Sequence, residues 1–189
     1  PEDWRLFIHK GECYTNFTNY FYHNTGFPQK CVMSRTTLGT VSRNGIRYLR
    51  EMDATGFLNM GREEKNWVFF SNEGRLYCIY SAEPWTVLEC TDDGKVIGID
   101  TIDMKLPRMG NRYIANSTNP IKVKLKSWGE VWLMWVHQYY TPHGSGSRNR
   151  TYYQHILIFD PVSFRPLAWT PTPVVGGGTQ LTGRHDGVV

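Results

Sequence analysis

Asp3-Trp4-Arg5-Leu6-Phe7 and, 63 residues later, Asn66-Trp67-Val68-Phe69-Phe70 decide the fold. Both run from a polar residue through a tryptophan into a short apolar strand. At the same offset, Gly11-Glu12-Cys13-Tyr14 is matched by Gly74-Arg75-Leu76-Tyr77. A third copy opens at Asn119-Pro120 and turns at Gly129-Glu130-Val131-Trp132. Each unit reads as a polar start, an inner strand, a Gly turn, an aromatic strand and two further strands.

Working outward from these anchors, strand signals fill the chain. The first unit offers Trp4–Lys10, Glu12–Tyr22, Lys30–Ser34 and Ile46–Glu51. The second offers Trp67–Ser71, Arg75–Ser81, Thr86–Cys90 and Lys95–Met104, and the third Ile121–Lys126, Val131–Tyr140, Thr151–Asp160 and Arg165–Thr170. Alternating or β-branched and aromatic runs between Gly, Asn and Pro breaks favour strands. Helical spacing is nearly absent; the best stretch, Gly45 to Met60, is irregular and broken by Gly56.

Repeated four-stranded units of this length are the signature of propeller blades. The expected fold is all-β, a partial β-propeller in one incomplete domain spanning 1–189. Its blades fall at about 1–60, 61–110 and 111–175, and 176–189 opens a further one. A β-sandwich with two similar hairpins is the competing reading. Three blades do not close a ring, since propellers carry about 4–8. The open edges then call for the remaining blades of the same chain or for a partner protein. The abrupt start at Pro1 and stop at Val189 agree with an interior piece of a longer protein.

Composition narrows the classes. The 189 residues include 7 Trp, 11 Tyr and 9 Phe, an aromatic share of 14% that suits strands. The net charge of +4 is scattered, with no clustered basic face for nucleic acid. The longest apolar run, Val131–Val136, is far below the about 20 residues of a membrane helix. Cys13, Cys31, Cys78 and Cys90 form no CxxC pair, so neither zinc nor another cofactor is expected. Two disulfides, Cys13–Cys31 and Cys78–Cys90, suit their sequence spacing. Asn16, Asn116 and Asn149 each head an Asn-x-Ser/Thr acceptor. Together these point to the secretory pathway (Golgi lumen, cell surface or exterior), with the cytoplasm as the alternative.

In a propeller the innermost strands begin around one channel, so equivalent positions converge. Here they hold Asp3, Asn66 and Asn119, with Arg5 and Lys65 beside them and Arg184, His185 and Asp186 at the next start. Acid, amide and base groups ringed by Trp4 and Trp67 suit a sugar: charged groups bind hydroxyls, and rings stack on apolar sugar faces. The plain alternative is that these polar residues cap blade starts. His137 closes a run of apolar and aromatic residues, where a buried histidine and a ligand-binding one are equally expected. The remaining histidines are expected on loops or outer strands. The His143–Ser147 segment reads as a loop over the pocket.

Glu2-Asp3-Trp4-Arg5 resembles the Glu-Asp-Pro-Arg motif of glycoside hydrolase family 130, the β-mannoside phosphorylases and hydrolases. Lys65–Phe70 with Gly74–Tyr77 and Pro84 is similar to the family's second-blade motif, and Trp132–His137 to its third-blade strand. The resemblance implies a five-bladed propeller and inverting general-acid chemistry on a β-mannoside-like glycan. It implies Asp3 as proton donor, Arg5 as a pocket arginine, Lys65 and Asn66 as a basic-amide pair near the attacking group, and His137 in a phosphate site. Trp4 replaces the family proline, and Glu83 stands where a basic residue is usual. Phosphate needs several cations, so the departures favour hydrolysis, transfer to another sugar, or no chemistry. An inverting hydrolase needs a second carboxylate, for which Glu83 and Asp186 are candidates. The alternative function is a catalytically silent glycan-binding or structural propeller in a larger extracellular or surface assembly.

Overall fold

The computed structural model describes residues 2–22, 31–59, 65–106, 113–140 and 151–176. Every regular element in them is a strand. The first sheet is β1 (Glu2–His9), β2 (Glu12–Tyr22), β3 (Cys31–Ser42) and β4 (Gly45–Glu51), paired in chain order. The second is β5 (Val68–Asn72), β6 (Arg75–Ala82), β7 (Trp85–Cys90) and β8 (Val96–Ile102), again in chain order. The third runs β10 (Ile121–Leu125), β11 (Gly129–Tyr140), β12 (Thr151–Phe159) and β13 (Pro166–Trp169). To it are added β9 (Tyr113–Asn116) on β11 and β14 (Val175–Gly176) on β12. Among the described residues the expected four-stranded antiparallel blades are therefore present. β9 and β14 are additions, and β3 runs well past the short Lys30–Ser34 segment.

The repeat extends to backbone conformation. Lys10 (φ 50) and Gly11 (φ 79) form the two-residue turn of the first blade, and Glu73 (φ 50) and Gly74 (φ 75) that of the second. Two central residues with positive φ make the hairpin turn whose twist matches its strands. Asp3 (φ 58) and Asn66 (φ 64), also 63 apart, share the left-handed region at the blade starts. Short polar side chains that bond locally are the non-glycine residues that tolerate it best.

Packing explains why the two opening motifs differ. In the second blade the inner strand β5 is covered on both faces. Trp67 and Phe69 point into a core with Phe7, Tyr14, Leu38 and Met52 of the first blade. Val68 and Phe70 point into a second core with Trp132, Met134, Leu157 and Phe159 of the third. A strand buried on both faces reads as a continuous apolar run. Among the described residues the first blade packs against one neighbour, and β1 alternates: Phe7 and His9 are buried, whereas Leu6 is 64% and Ile8 61% exposed. Ile46 and Tyr48 of β4 are likewise exposed.

Several expectations are corrected. Cys13 opens β2, whereas Cys31 pairs with Tyr22 at the far end of that strand. About nine residues of strand, roughly 30 Å, separate the two, and a disulfide needs Cα atoms within about 7 Å. Cys78 lies opposite Leu88, and Cys90 opposite Leu76, so the two are diagonal neighbours. Both are free, buried thiols in the core between the first two blades. His9 is not on a loop or outer strand but buried at the end of innermost β1. There its Nδ1 pairs with Ser71 Oγ at 2.8 Å and its Nε2 with Asp92 Oδ1 at 2.9 Å. His155 is buried in β12, its ring stacked on Trp169 at 4.2 Å, and its Nδ1 donates to the Thr170 carbonyl. His23, the 143–147 loop and residues 177–189 lie outside the described residues.

Two glycines separate turn strain from packing. Gly11 has open space where a Cβ would stand, so Gly11→Ala meets only backbone strain, about 1–2 kcal/mol. Gly94 (φ +88) abuts the first blade, and a Cβ there would lie 2.8 Å from Leu38 Cδ2. Gly94→Ala is expected to cost about 2–4 kcal/mol, strain and overpacking together, and urea unfolding of the two variants should rank them so. Burial pushes the Cys78 thiol well above its usual range and that of Cys90 up to about 12, with the Glu89 charge adding at Cys90. The thiolate is the reactive form. At pH 8 iodoacetamide should therefore label Cys13 in the folded protein and reach Cys78 and Cys90 only after unfolding.

Candidate functional site

The strand directions place one set of ends together. β1 and β5 run away from Asp3 and Asn66, and β2 and β6 return. The start of the third blade, 117–120, joins the same end. Two of the sequence-chosen positions, Arg5 and Asn66, are bonded here to the start of the third blade.

Arg5 is the first link. Its Nε donates to the Ser117 carbonyl at 2.8 Å, and its Nη1 to the Asp3 carbonyl at 2.9 Å. Burial lowers the guanidinium pKa, and the Asp3 charge opposes that shift. Ser117 then carries the link to the third blade. Its Oγ lies 2.8 Å from His137 Nδ1 and donates to Gln154 Oε1 at 3.1 Å. His137 and Gln154 face each other across β11 and β12, and the His137 ring meets the edge of Tyr152 at 5.4 Å. His137 does not end its strand, since β11 continues to Tyr140.

Asn66 joins through its backbone: Asn116 Nδ2 donates to the Asn66 carbonyl at 2.9 Å and to that of Ile79 at 3.1 Å. Lys65 beside it is half-buried. Asp3 is exposed, with its backbone held by Arg5. Trp4 is 47% exposed and stacks on Phe17 at 4.1 Å between centroids, which leaves it available as a platform. Glu83 lies on the β6–β7 turn, at this same end of the second blade. Arg184, His185 and Asp186 lie outside the described residues.

Other chosen residues belong to the framework. Trp67 is 1% exposed, and its ring meets the edge of Tyr80 at 5.0 Å in the core, so no sugar can stack on it. Asn119 is turned inward. Its Oδ1 accepts from the Phe69 N–H at 2.9 Å, and its Nδ2 donates to the Leu6 carbonyl at 3.2 Å. It thus satisfies the inner edges of β5 and β1, which have no further strand to pair with. Asn16 and Asn116 are each 1% exposed. Asn16 Nδ2 donates to the Trp67 carbonyl at 3.0 Å, so at both residues the nitrogen that a glycan would occupy is buried and bonded within the protein. Asn149 lies outside the described residues.

Ser117 and Gln154 were not singled out from the sequence. The one signal was the triplet Asn116-Ser117-Thr118, whose meaning is structural. Asn116 clamps the second blade, Ser117 joins Arg5 to His137, and Thr118 Oγ1 accepts from the Trp135 N–H at 3.0 Å. Among the described residues no group of three or more His, Cys, Asp and Glu gathers as a metal site, and no helix is long and apolar enough to cross a membrane.

Among solved structures, the fold is similar to that of a mutant of the GH43 protein BlXynB from Bacillus licheniformis. The TM-score is 0.51 over 88% of this chain, at 14% identity. The chain spans 29% of that protein's length. No family model and no curated protein matches the sequence. The likeness supports the propeller fold expected from the repeat. It does not single out family 130, which stays with the quoted motifs.

The amide clamp predicts its own test. Asn116→Asp sets a carboxylate against two carbonyl oxygens in a buried position. Breaking such an arrangement costs about 3–5 kcal/mol, so denaturant unfolding should show a large loss. Peptide mapping of the native protein should find Asn16 and Asn116 without glycan.

Proposed function

We propose that this chain belongs to a carbohydrate-active propeller that makes or cleaves a glycosidic bond on a β-mannoside-like glycan by inverting general-acid chemistry. The observation that carries the reading is the junction of Arg5 of the first blade with Ser117 and His137 of the third, beside exposed Asp3, at the end where blade starts converge. The likeness to a GH43 protein supports a glycosidase-like propeller, and the ordered motifs support the mannoside.

In this reading Asp3 gives its proton to the oxygen of the breaking bond, as in the resembled family through a sugar hydroxyl. Trp4 stacks on the ring, and Lys65 and Asn66 bind hydroxyls. The attacking group is water or a sugar hydroxyl rather than phosphate. Arg5 spends donors on two backbone carbonyls, which leaves less cation for a doubly charged anion. Glu83 and Asp186 are the candidates to take the proton of an attacking water on inversion, a role that needs about 6.5–9.5 Å between the two acids.

A silent glycan-binding or structural propeller in an extracellular or surface assembly is the second reading. It is favoured by the loss of Trp67 and Asn119 to the framework. In either case we propose that further blades or a partner protein cover the bare face of the first blade, where Leu6, Ile8, Ile46 and Tyr48 are exposed. A secretory location now rests on Asn149, and glycopeptide mapping there tests it.

Asp3→Asn keeps the side chain's shape and removes the proton donor. Turnover of a β-mannoside by the full-length protein should fall about 100- to 10,000-fold with binding retained. Unchanged turnover would make Asp3 a blade cap. Binding without any turnover by the unsubstituted protein would select the silent module.

A further inference from the structure

We propose that the bare face of the first blade binds the far face of the third blade of a second copy of this chain, so that two arcs of three blades close into one ring. The inference deepens the reading above that this face is covered, and it rests on that reading and not on the identity of the glycan.

The cross-strand register carries the argument. In the second blade Phe69, Cys78, Leu88 and Ile99 lie side by side across four strands. The first three belong to the core shared with the first blade. At the 63-residue offset of the repeat, Leu6 and Thr15 stand for Phe69 and Cys78, and their row continues through Gly39 to Tyr48. Leu6 is 64% and Tyr48 55% exposed, so the matching row of the first blade is bare. Side chains two residues apart on a strand share its face. Ile8, opposite Cys13, and Ile46, opposite Val41, therefore extend the patch. None of these side chains is charged.

The third blade carries the other half of the contact. In the second blade Val68, Ile79 and Val87 lie side by side and pack on the third. Ile121 stands two residues after Asn119, as Val68 does after Asn66. Its row runs through Leu133 and Ile158 to Ala168 and is apolar throughout. Ile121 is 58% exposed, and Leu133 is half-buried. The described residues thus make one kind of contact twice, first blade to second and second to third, and hold both halves of a further one. Three blades fall short of the about 4–8 that close a propeller, whereas two copies supply six. Contacts between unlike faces give a ring where the rotation closes and a filament where it does not. Closure by two copies sets the two-fold axis along the channel, so both Asp3 ends open on one mouth.

Sedimentation equilibrium of the full chain should show the mass rise from 21.9 kDa to twice that value as the protein is concentrated. Growth past that mass overturns the closed ring. Cys13, opposite Ile8 in the patch, reports on the face directly, and its labelling by iodoacetamide should slow in step with dimer formation. Leu6→Glu and Ile121→Glu alter exposed side chains, so each variant should keep the circular dichroism of the unsubstituted protein. Each spoils one face on both copies, hence both contacts, and should stay monomeric where the unsubstituted protein pairs. An equimolar mixture of the two variants keeps one good contact per pair and should dimerise again, more weakly. Dimers that survive Ile121→Glu, or a mixture that stays monomeric, overturn the head-to-tail contact. A monomer at every concentration overturns the second copy as occupant. If Cys13 is then protected, the face is covered within the chain and the covered-face reading stands; if it reacts freely, that reading falls as well.

Discussion

The inner strand of the second blade, β5, is covered on both faces, and much of the structure follows from covering it. Val68, Phe69 and Phe70 are 0%, 0% and 1% exposed, and they point alternately to the two neighbouring blades. Full burial of each such side chain is worth about 1.5–3 kcal/mol, so one short strand ties two interfaces. Burial on both sides also removes water from the backbone. Among the described residues no fifth strand pairs with the inner edges of β5 and β1, whose backbone groups then need other partners. Amide side chains supply them: Asn119 to Phe69 and Leu6, Asn16 to Trp67, and Asn116 to Asn66 and Ile79. Unmade, such bonds would cost about 1–3 kcal/mol each.

This bonding places the candidate site. The stretch 116–119 must lie against the starts of the first two blades to deliver Asn116 and Asn119. Ser117 sits between them and is carried to Arg5 on one side and His137 on the other. The chemistry-bearing residues are therefore held by the same contacts that hold the blades. The arrangement also divides labour along the blade starts. Among the described residues no blade covers Asp3 and Trp4, which are exposed, whereas Trp67, at the matching place in the second blade, is sealed in the core between the first two blades.

At the other end of the inner strands, His9 shows the same economy. It is buried between Ser71 and Asp92, and Lys10 Nζ reaches the second Asp92 oxygen at 2.6 Å. The Lys10 and His9 bonds hold the Asp92 carboxyl below its usual range. Blades one and two are thus joined by polar contacts at both ends and an apolar core between. Trp85 Nε1, donating to the Phe164 carbonyl at 2.9 Å, joins blades two and three in a similar way.

The sequence by itself determined the repeat, the strands and their turns, because these depend on local chemistry. Period-two alternation, positive-φ turn pairs such as Lys10-Gly11 and Glu73-Gly74, and a recurring polar-Trp start are all carried within a few residues. It also marked Asp3 and Asn66, with Arg5 beside them, as residues of one end, since equivalent places in repeated units converge. It did not separate Trp4 from Trp67, which are the same residue at the same place in the repeat; only the number of packed neighbours exposes one and buries the other. Nor did it reveal that Asn16 and Asn116 are clamps: an Asn-x-Thr or Asn-Ser-Thr triplet reads alike whether its amide faces water or another blade's carbonyl. The cysteine pairing failed for a related reason. Closeness in sequence suggested Cys13–Cys31, while an antiparallel hairpin sets the starts of its two strands at opposite ends. Which side chains meet was decided by strand direction and blade packing, which are properties of the assembled sheets and not of any single segment.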